Sequence, residues 1–586
     1  MNYPVWYLPE IGGGTLIALI AVLHVFVSHF AVGGGLYLIY AEKKGLRESN
    51  QAILDFVKMH ARFFLLLTMV FGSITGVGIW FIIALVNPAA TSFLIHNFVF
   101  GWAAEWVFFM VEIAAAFVFY YMFGKMEWKD HLQVGWLYFI AAWMSLFLIN
   151  GIICAMLTPG EWAETGDFWQ GFFNPSFFPS LLFRTFIAVL LAGCYGYLSA
   201  SWSKDQEVKR SMTRFSGIWA LIAFAGAVPS AIWYVAVLPS PAQGLVLGKS
   251  PTIVWALQWG AGGVGLLLVI TLIAGIARPG LNNKAVACVA MICGLMTIGA
   301  FEWVREAARR PYVINEVIYS NGIFKKDVAP VSEKGFLTSA IWVRNKELTG
   351  KNKVSAGKEL FIQQCYACHT LGGSNNDIAG LTENMSYSAL SKYILRIHEV
   401  RYFMPPFVGT ETEARALAAY IAGGIHGKEI VDKKPAADDP VAQGKVLFEE
   451  SCSSCHALED ISGTFVDMEN EEVGEVLLTL GEISDEMEAF SGTDQERGLL
   501  AGFLKMASSG EEPVPAVNGQ TVFEDSCSAC HAAEDLTDSF GGVEQEEIRT
   551  TLATLDEISD EMVPFDGSEA EAAALADYLN ALKGGN

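Results

Sequence analysis

Three pentapeptides carry the most specific chemistry in this chain of 586 residues: Cys365-Tyr366-Ala367-Cys368-His369, Cys452-Ser453-Ser454-Cys455-His456 and Cys527-Ser528-Ala529-Cys530-His531. Two thiols three positions apart on a helical turn can add to the two vinyl groups of a haem, and the adjacent His then ligates the iron. Three such motifs in one chain are not chance, and they predict three covalent c haems. Each follows an amphipathic stretch, as in Ala356-Gly357-Lys358-Glu359-Leu360-Phe361, and each is followed by a candidate sixth ligand. Met404 lies 35 residues after His369, in Met-Pro-Pro-Phe; Met487 and Met562 each lie 31 residues after their His. The string Glu-Ile-Ser-Asp-Glu-Met occurs at 482–487 and again at 557–562, which marks the second and third units as copies. A thioether ligand raises the potential of a haem relative to a second His. His398 is a rival ligand in the first unit, whereas Met468 and Met506 read as core residues.

A second set of reactive side chains lies in apolar surroundings. His24 and His29 fall in the first long apolar run, His60 and Arg62 enter the second, and Glu105 and Glu112 lie in the third. Arg184 falls in the fifth, and Glu302, Arg305 and Glu306 close the eighth. Charge inside a bilayer is expensive and marks function unless a structural partner neutralises it. Glu105 and Glu112 are seven residues apart, about two helical turns, so both carboxylates project from one face.

These groups need elements to hold them. A bilayer core requires about 20 apolar residues as helix, and such runs appear near 15–41, 61–87, 98–124, 132–158, 180–202, 212–238, 252–277 and 284–306. The fold class is therefore all-α, an eight-helix transmembrane bundle followed by three small helical units. The boundaries are 1–312 for the bundle, 313–349 for a linker, then 350–427, 440–508 and 516–586 for the three units. Linkers at 427–440 and 508–516 separate them, the latter containing Glu-Glu-Pro-Val-Pro. One set of bundle loops holds Lys43, Lys44, Arg47, Lys58, Lys125, Lys129, Lys204, Lys209, Arg210, Arg214, Arg278 and Lys284, while the opposite set holds only Lys249. Positive loops stay inside, so the N-terminus is outside, and eight spans bring the three motifs to the outside as well. That is the oxidising, periplasmic face of a bacterial inner membrane. No basic region precedes the first apolar run, which is long enough to span, so no cleavable signal is expected.

Charge follows the same division. Residues 438–586 hold 35 Asp and Glu against 5 Lys and Arg, net −30, so the whole-chain −24 leaves +6 on residues 1–437. A polyanionic tail excludes nucleic acid and anionic membrane surfaces as its partners. It suits a basic periplasmic electron donor or acceptor, or simply keeps an exposed region soluble. The four remaining cysteines, Cys154, Cys194, Cys288 and Cys293, sit singly in apolar helices and read as small core residues.

All three tail units resemble class I cytochrome c domains, from the first helix through the motif and the Met to the last helix. Residues 10–315 resemble subunit I of the cytochrome bd oxygen reductases. The likeness rests on His24 followed by Val32-Gly33-Gly34-Gly35, on Gly72-Ser73-Ile74-Thr75-Gly76, and on Ala104-Glu105 through Val111-Glu112. Residues 150–158, Asn174-Pro175 and Glu306-Ala307-Ala308-Arg309-Arg310-Pro311-Tyr312 continue it in order. The resemblance implies that His24 ligates a high-spin haem where gas binds and that Glu306 ligates or contacts its neighbour. It implies one or two non-covalent haems of b or d type, with Glu105 and Glu112 lining the site and delivering protons and Arg309 pairing with propionates. It also implies a second membrane subunit related to bd subunit II.

The departures are as informative. The family's low-spin b haem takes a His from the fifth span and a Met from the seventh. Here no His occurs between His131 and His369, Arg184 falls at or beside the first position, and Trp259 aligns with the second. The long quinol-binding loop is also missing, since residues 239–251 are too short for it. His29 and His60 have no family counterpart; each either ligates a relocated haem or is hydrogen-bonded within the bundle. Two functions fit. One is a bd-like terminal reductase fed by cytochrome c and acting on O2. The other is an electron-transfer subunit relaying between quinone or a partner subunit and a periplasmic enzyme.

Overall fold

A computed structural model describes residues 2–383, 385, 387–430, 440–452, 461, 463–466, 468–483, 487, 489–490, 492–508, 518–559 and 562–582. Cys455 and His456 lie outside the described residues. Among the described residues, eight helices are long and apolar enough to cross a membrane: α1 Gly13–Arg47, α2 Gln51–Val86, α3 Val99–Tyr121, α4 Trp128–Cys154, α5 Phe177–Ser201, α6 Gln206–Ala236, α7 Thr252–Ala277 and α8 Lys284–Ala307. All eight overlap the apolar runs read from the sequence. In hydrocarbon every backbone polar group must be satisfied internally, which makes continuous helix the answer to such runs. Polar side chains start several of them: Asn50 accepts from Ala52 N and Ile53 N at the head of α2, and Asp205 does the same for Glu207 N and Val208 N at α6. Apolar side chains such as Ile74, Val77, Phe81 and Phe100 face outward, as a lipid-facing surface requires. Of the four single cysteines, Cys154, Cys194 and Cys293 are buried and Cys288 is exposed.

Helix α1 is central, packing on α2, α4, α5 and α8. The Gly33-Gly34-Gly35 run explains how. A Cβ at Gly33 would lie 2.0 Å from the Ala188 carbonyl oxygen of α5, one at Gly34 2.7 Å from the Phe64 ring of α2, and one at Gly35 2.3 Å from the Tyr138 ring of α4. Three successive residues point about 100° apart on a helix, so three glycines admit three neighbours at once.

The chain divides into two compact units, and the division does not follow the sequence order. The first comprises 1–347, 359–378 and 402–410; the second comprises 348–358, 379–401 and 411–586. Within the first, the stretch read as a linker is folded: strands Tyr312–Ile314 and Ile318–Tyr319 form an antiparallel hairpin. Ile314 and Ile318 are fully buried in a cluster with Phe98, Trp162 and Phe177. In the second unit, helix pairs repeat a single crossing. Gly357 of α9 (Lys353–Gln364) meets the Ala416 carbonyl of α10 (Glu411–Ala419), where a Cβ would lie 1.9 Å away. Gly444 of α11 (Pro440–Ser451) meets Leu499 of α12 (Asp494–Ser508) at 2.3 Å. Gly519 of α13 (Gly519–Ser526) meets Ala574 of α14 (Glu569–Asn580) at 1.9 Å.

Candidate haem sites

The first and third motifs fold into the same turn. Cys365 N and Tyr366 N both donate to Phe361 O (2.9 and 3.0 Å), Cys368 N and His369 N to Cys365 O (3.1 and 3.0 Å). In the third, Cys527 N and Ser528 N donate to Phe523 O (2.8 and 3.0 Å), Cys530 N and His531 N to Cys527 O (both 3.0 Å). In the second, Cys452 N donates to Phe448 O at 2.8 Å. Burial, reinforced by the neighbouring Cys368, pushes the Cys365 thiol up to about 12, and burial with Cys530 pushes Cys527 up to about 11.

His369 presents its ring for ligation. Its Nδ1 lies 3.0 Å from Asn376 O, and a carbonyl only accepts, so Nδ1 carries the proton and Nε2 is bare. Burial holds this imidazole below its ordinary value, opposed by the carbonyl bond and aided by the charge of Arg310. Met404 lies in the same compact unit as His369, whereas His398 falls in the other. Gln364, next to Cys365, exchanges two hydrogen bonds with the backbone of Val408 (2.7 and 2.9 Å), tying the motif to the Met404 loop. Met487 and Met562 are half-buried, each three residues before a Phe whose amide caps a helix: Phe490 N on Leu477 O and Phe565 N on Leu552 O, both 2.8 Å.

In the bundle, His24 of α1 faces Thr75 of α2, with Nδ1 and Oγ1 3.1 Å apart. The single Thr75 hydroxyl proton goes back to Phe71 O or Gly72 O, so Thr75 Oγ1 accepts from Nδ1–H and His24 Nε2 is bare. Gly76 makes room, since a Cβ there would be 3.1 Å from His24 Cε1. A π-helical turn at Leu67–Gly72 sets this register, a deviation that often accompanies a functional site.

Glu105 and Glu112 both face α4: Ser145 donates to Glu105 Oε1 at 2.7 Å, and Tyr138 donates to Glu112 Oε1 at 3.0 Å. Ser145 and Tyr138 are also seven residues apart, so two antiparallel helices match two carboxylates to two hydroxyls. Tyr138 further reaches Ala31 O on α1. Among the described residues no hydrogen bond or ion pair joins His24 to Glu105, Glu112 or Glu306.

At the end of α8, Glu306 pairs with Arg309 and, at 3.8 Å, with Arg305. Arg309 also donates to Val313 O, while its Nε is buried without a hydrogen-bond partner. One turn earlier, Glu302 lies 3.0 Å from both Arg184 Nη1 and Arg305 Nε. Arg184 is 2 % exposed, sits over the Phe301 ring and contacts His29 Nε2 at 3.4 Å. His29 Nδ1 donates to Val25 O (2.9 Å), so its acceptor nitrogen is taken by the guanidinium and is not bare like that of His24. His60 is fully buried: Nδ1 meets Ser199 Oγ at 2.7 Å, Nε2 has no hydrogen-bond partner, and the ring is enclosed by Phe30, Tyr37, Phe56 and Phe63. Arg184 and its ion pair occupy the place where the low-spin ligand of the resembling family is expected, and Trp259 is exposed; this donor set does not fit such a haem.

Ser145 and Tyr138 carry no signature of their own in sequence; only their spacing of seven, matched to that of Glu105 and Glu112, could have pointed to them, whereas Thr75 lies in the Gly72–Gly76 string quoted above.

Residues 352–421 and 515–579 match the family described as cytochrome c oxidase, cbb3-type, subunit III. Among solved structures, the chain is similar to bd oxidase from Geobacillus thermodenitrificans, with 14 % identity, a TM-score of 0.46, and coverage of 51 % of this chain and 87 % of that one. No curated protein matches the chain. With eight helices long and apolar enough to cross a membrane and a haem-attachment turn repeated in a tail that matches a cytochrome family over 352–421 and 515–579, the chain is a multi-pass membrane protein that carries cytochrome c-type electron-transfer domains.

Proposed function

We propose that the protein is a membrane haem oxidoreductase that takes electrons from a periplasmic donor through three c haems and delivers them to one or two haems of b or d type in the bundle, where O2 is reduced. The observation that supports the reading is the seam of two intramembrane carboxylates, Glu105 and Glu112, each held by a hydroxyl of α4, in a bundle whose His24 is held at Nδ1 by Thr75 and has Nε2 free to ligate. His24 would hold the gas-binding iron, Glu306 its neighbour, and Arg309 a propionate through its unpartnered Nε. The bound haems supply one-electron chemistry and an open coordination position. Glu105 and Glu112 hold and pass the protons that four-electron reduction of O2 to water consumes, with Ser145 and Tyr138 orienting their oxygens. In the tail, Cys365, Cys368, Cys452, Cys455, Cys527 and Cys530 would anchor the c haems, and His369, His456 and His531, together with Met404, Met487 and Met562, would supply the ligands of their irons. The N-terminus and tail face the periplasm. A homologous second subunit covers part of the exposed bundle surface.

The test is a carbon monoxide difference spectrum of the dithionite-reduced protein. His/Met c haems are six-coordinate and respond little, so a shift in the b/d region reports an open haem in the bundle. If the bundle haems are present by extraction and no shift occurs, the sites are closed. The protein is then a relay between quinone or a partner subunit and the periplasm.

A further inference from the structure

The motif turn of the first c unit does not belong with the rest of the tail. Residues 359–378 and 402–410 cluster with the membrane domain, and named contacts account for it. Tyr366, between the two haem-attaching cysteines, exchanges hydrogen bonds with one residue of the N-terminal segment: Leu8 N donates to its Oη at 2.7 Å, and its hydroxyl faces Leu8 O at 3.1 Å. The Tyr7 ring meets the Tyr366 ring edge-on at 4.8 Å. Leu371 N donates to Pro9 O at 2.8 Å, and Gly373 lies so close to Glu10 that a Cβ would be 2.0 Å from its carbonyl oxygen. Around Met404, Tyr402 packs on the cluster of Leu245, Ile253 and Ala307, and Gly409 N donates to Ser332 Oγ at 3.3 Å. The start of α1 and the end of α8 thus grip both the His369 side and the Met404 side. Glu306 and Arg309 lie beside Ala307 in sequence.

We propose that this seat is the electron port of the membrane domain, with Tyr366 as its positioning residue. One-electron exchange between the bundle and the tail passes through the first c unit, and the other two units act upstream of it. Each transfer oxidises one ferrous iron and reduces one ferric iron, with no bond made or broken. The inference rests on both regions carrying haem, but not on O2 being the substrate.

The experiment combines two readouts on the full-length holoprotein and on Tyr366→Phe and Gly373→Val. Hydrogen exchange reads the Leu8 and Leu371 amides. Photoreduction of the c haems by a ruthenium dye, followed by the appearance of reduced bundle haem, reads the transfer. The wild type should protect both amides and deliver electrons to the bundle. Tyr366→Phe should accelerate Leu8 exchange and slow delivery about tenfold, the equivalent of 1.4 kcal/mol in seating. Gly373→Val should do more, and haem c content should be unchanged in both. Unprotected amides in the wild type, or unchanged delivery in variants whose seat has opened, overturns the port alone. Protected amides with no electrons reaching the bundle in the wild type sinks the port together with the haem reading beneath it.

Discussion

At the residue scale, each ring or carboxylate is decided by what its second polar atom does. His24 and His29 sit five positions apart on one helix, yet Thr75 leaves the first with a bare Nε2 while Arg184 takes that of the second. His24→Ala or Glu105→Ala should therefore abolish oxygen consumption while leaving the c-type spectrum intact; turnover in both variants would remove these residues from the chemistry. Ser145→Ala should lower turnover without changing haem content, because it releases an oxygen of Glu105 and not a ligand. The Arg184–Glu302 pair makes a sharper prediction. Breaking a buried ion pair from one side costs about 3–5 kcal/mol, and replacing both partners is far milder. Arg184→Leu and Glu302→Leu should each destabilise the detergent-solubilised protein more than the double substitution, as read by thermal melting. The paired carboxylates were legible from their sevenfold spacing. The partners of Arg184 were not, because they depend on the register of α5 against α8, which no local pattern encodes.

At the element scale, short side chains set the distances. The glycine run of α1 was visible in sequence only as a resemblance; its physical reason is the approach of three different helices. The same holds in the tail, where Gly357, Gly444 and Gly519 each lie under a carbonyl of a crossing helix. Gly519→Ala should destabilise the third unit by about 1–3 kcal/mol, the range for overpacking, and differential scanning calorimetry should show one transition lowered with the others unmoved. The eight spans were legible because an apolar run of that length has few alternatives in a membrane. The folding of 313–349 was not: its buried residues Ile314, Ile318, Phe336 and Leu337 are too few and too scattered to stand out from a polar connector.

At the scale of the whole molecule, charge and order along the chain separate. The net −30 of residues 438–586 should draw a basic donor, so the rate of electron entry from a cationic cytochrome should fall as ionic strength rises and the Debye length shrinks. A flat salt response would leave the acidity as a solubility device. The three motifs were legible as three like units. The structure treats the first differently, and that difference was hidden because its partners, Tyr7 to Glu10, lie more than 350 residues away.

The grip on Tyr366 also bears on how the protein is made. The residue sits between the two thiols that must each reach a vinyl group, and its hydroxyl is bound back to Leu8 from both sides. The segment that leads into the first membrane span and the turn that must accept the first haem are thus one piece of structure, so a change in residues 7–10 should be felt at the first motif before the second or third.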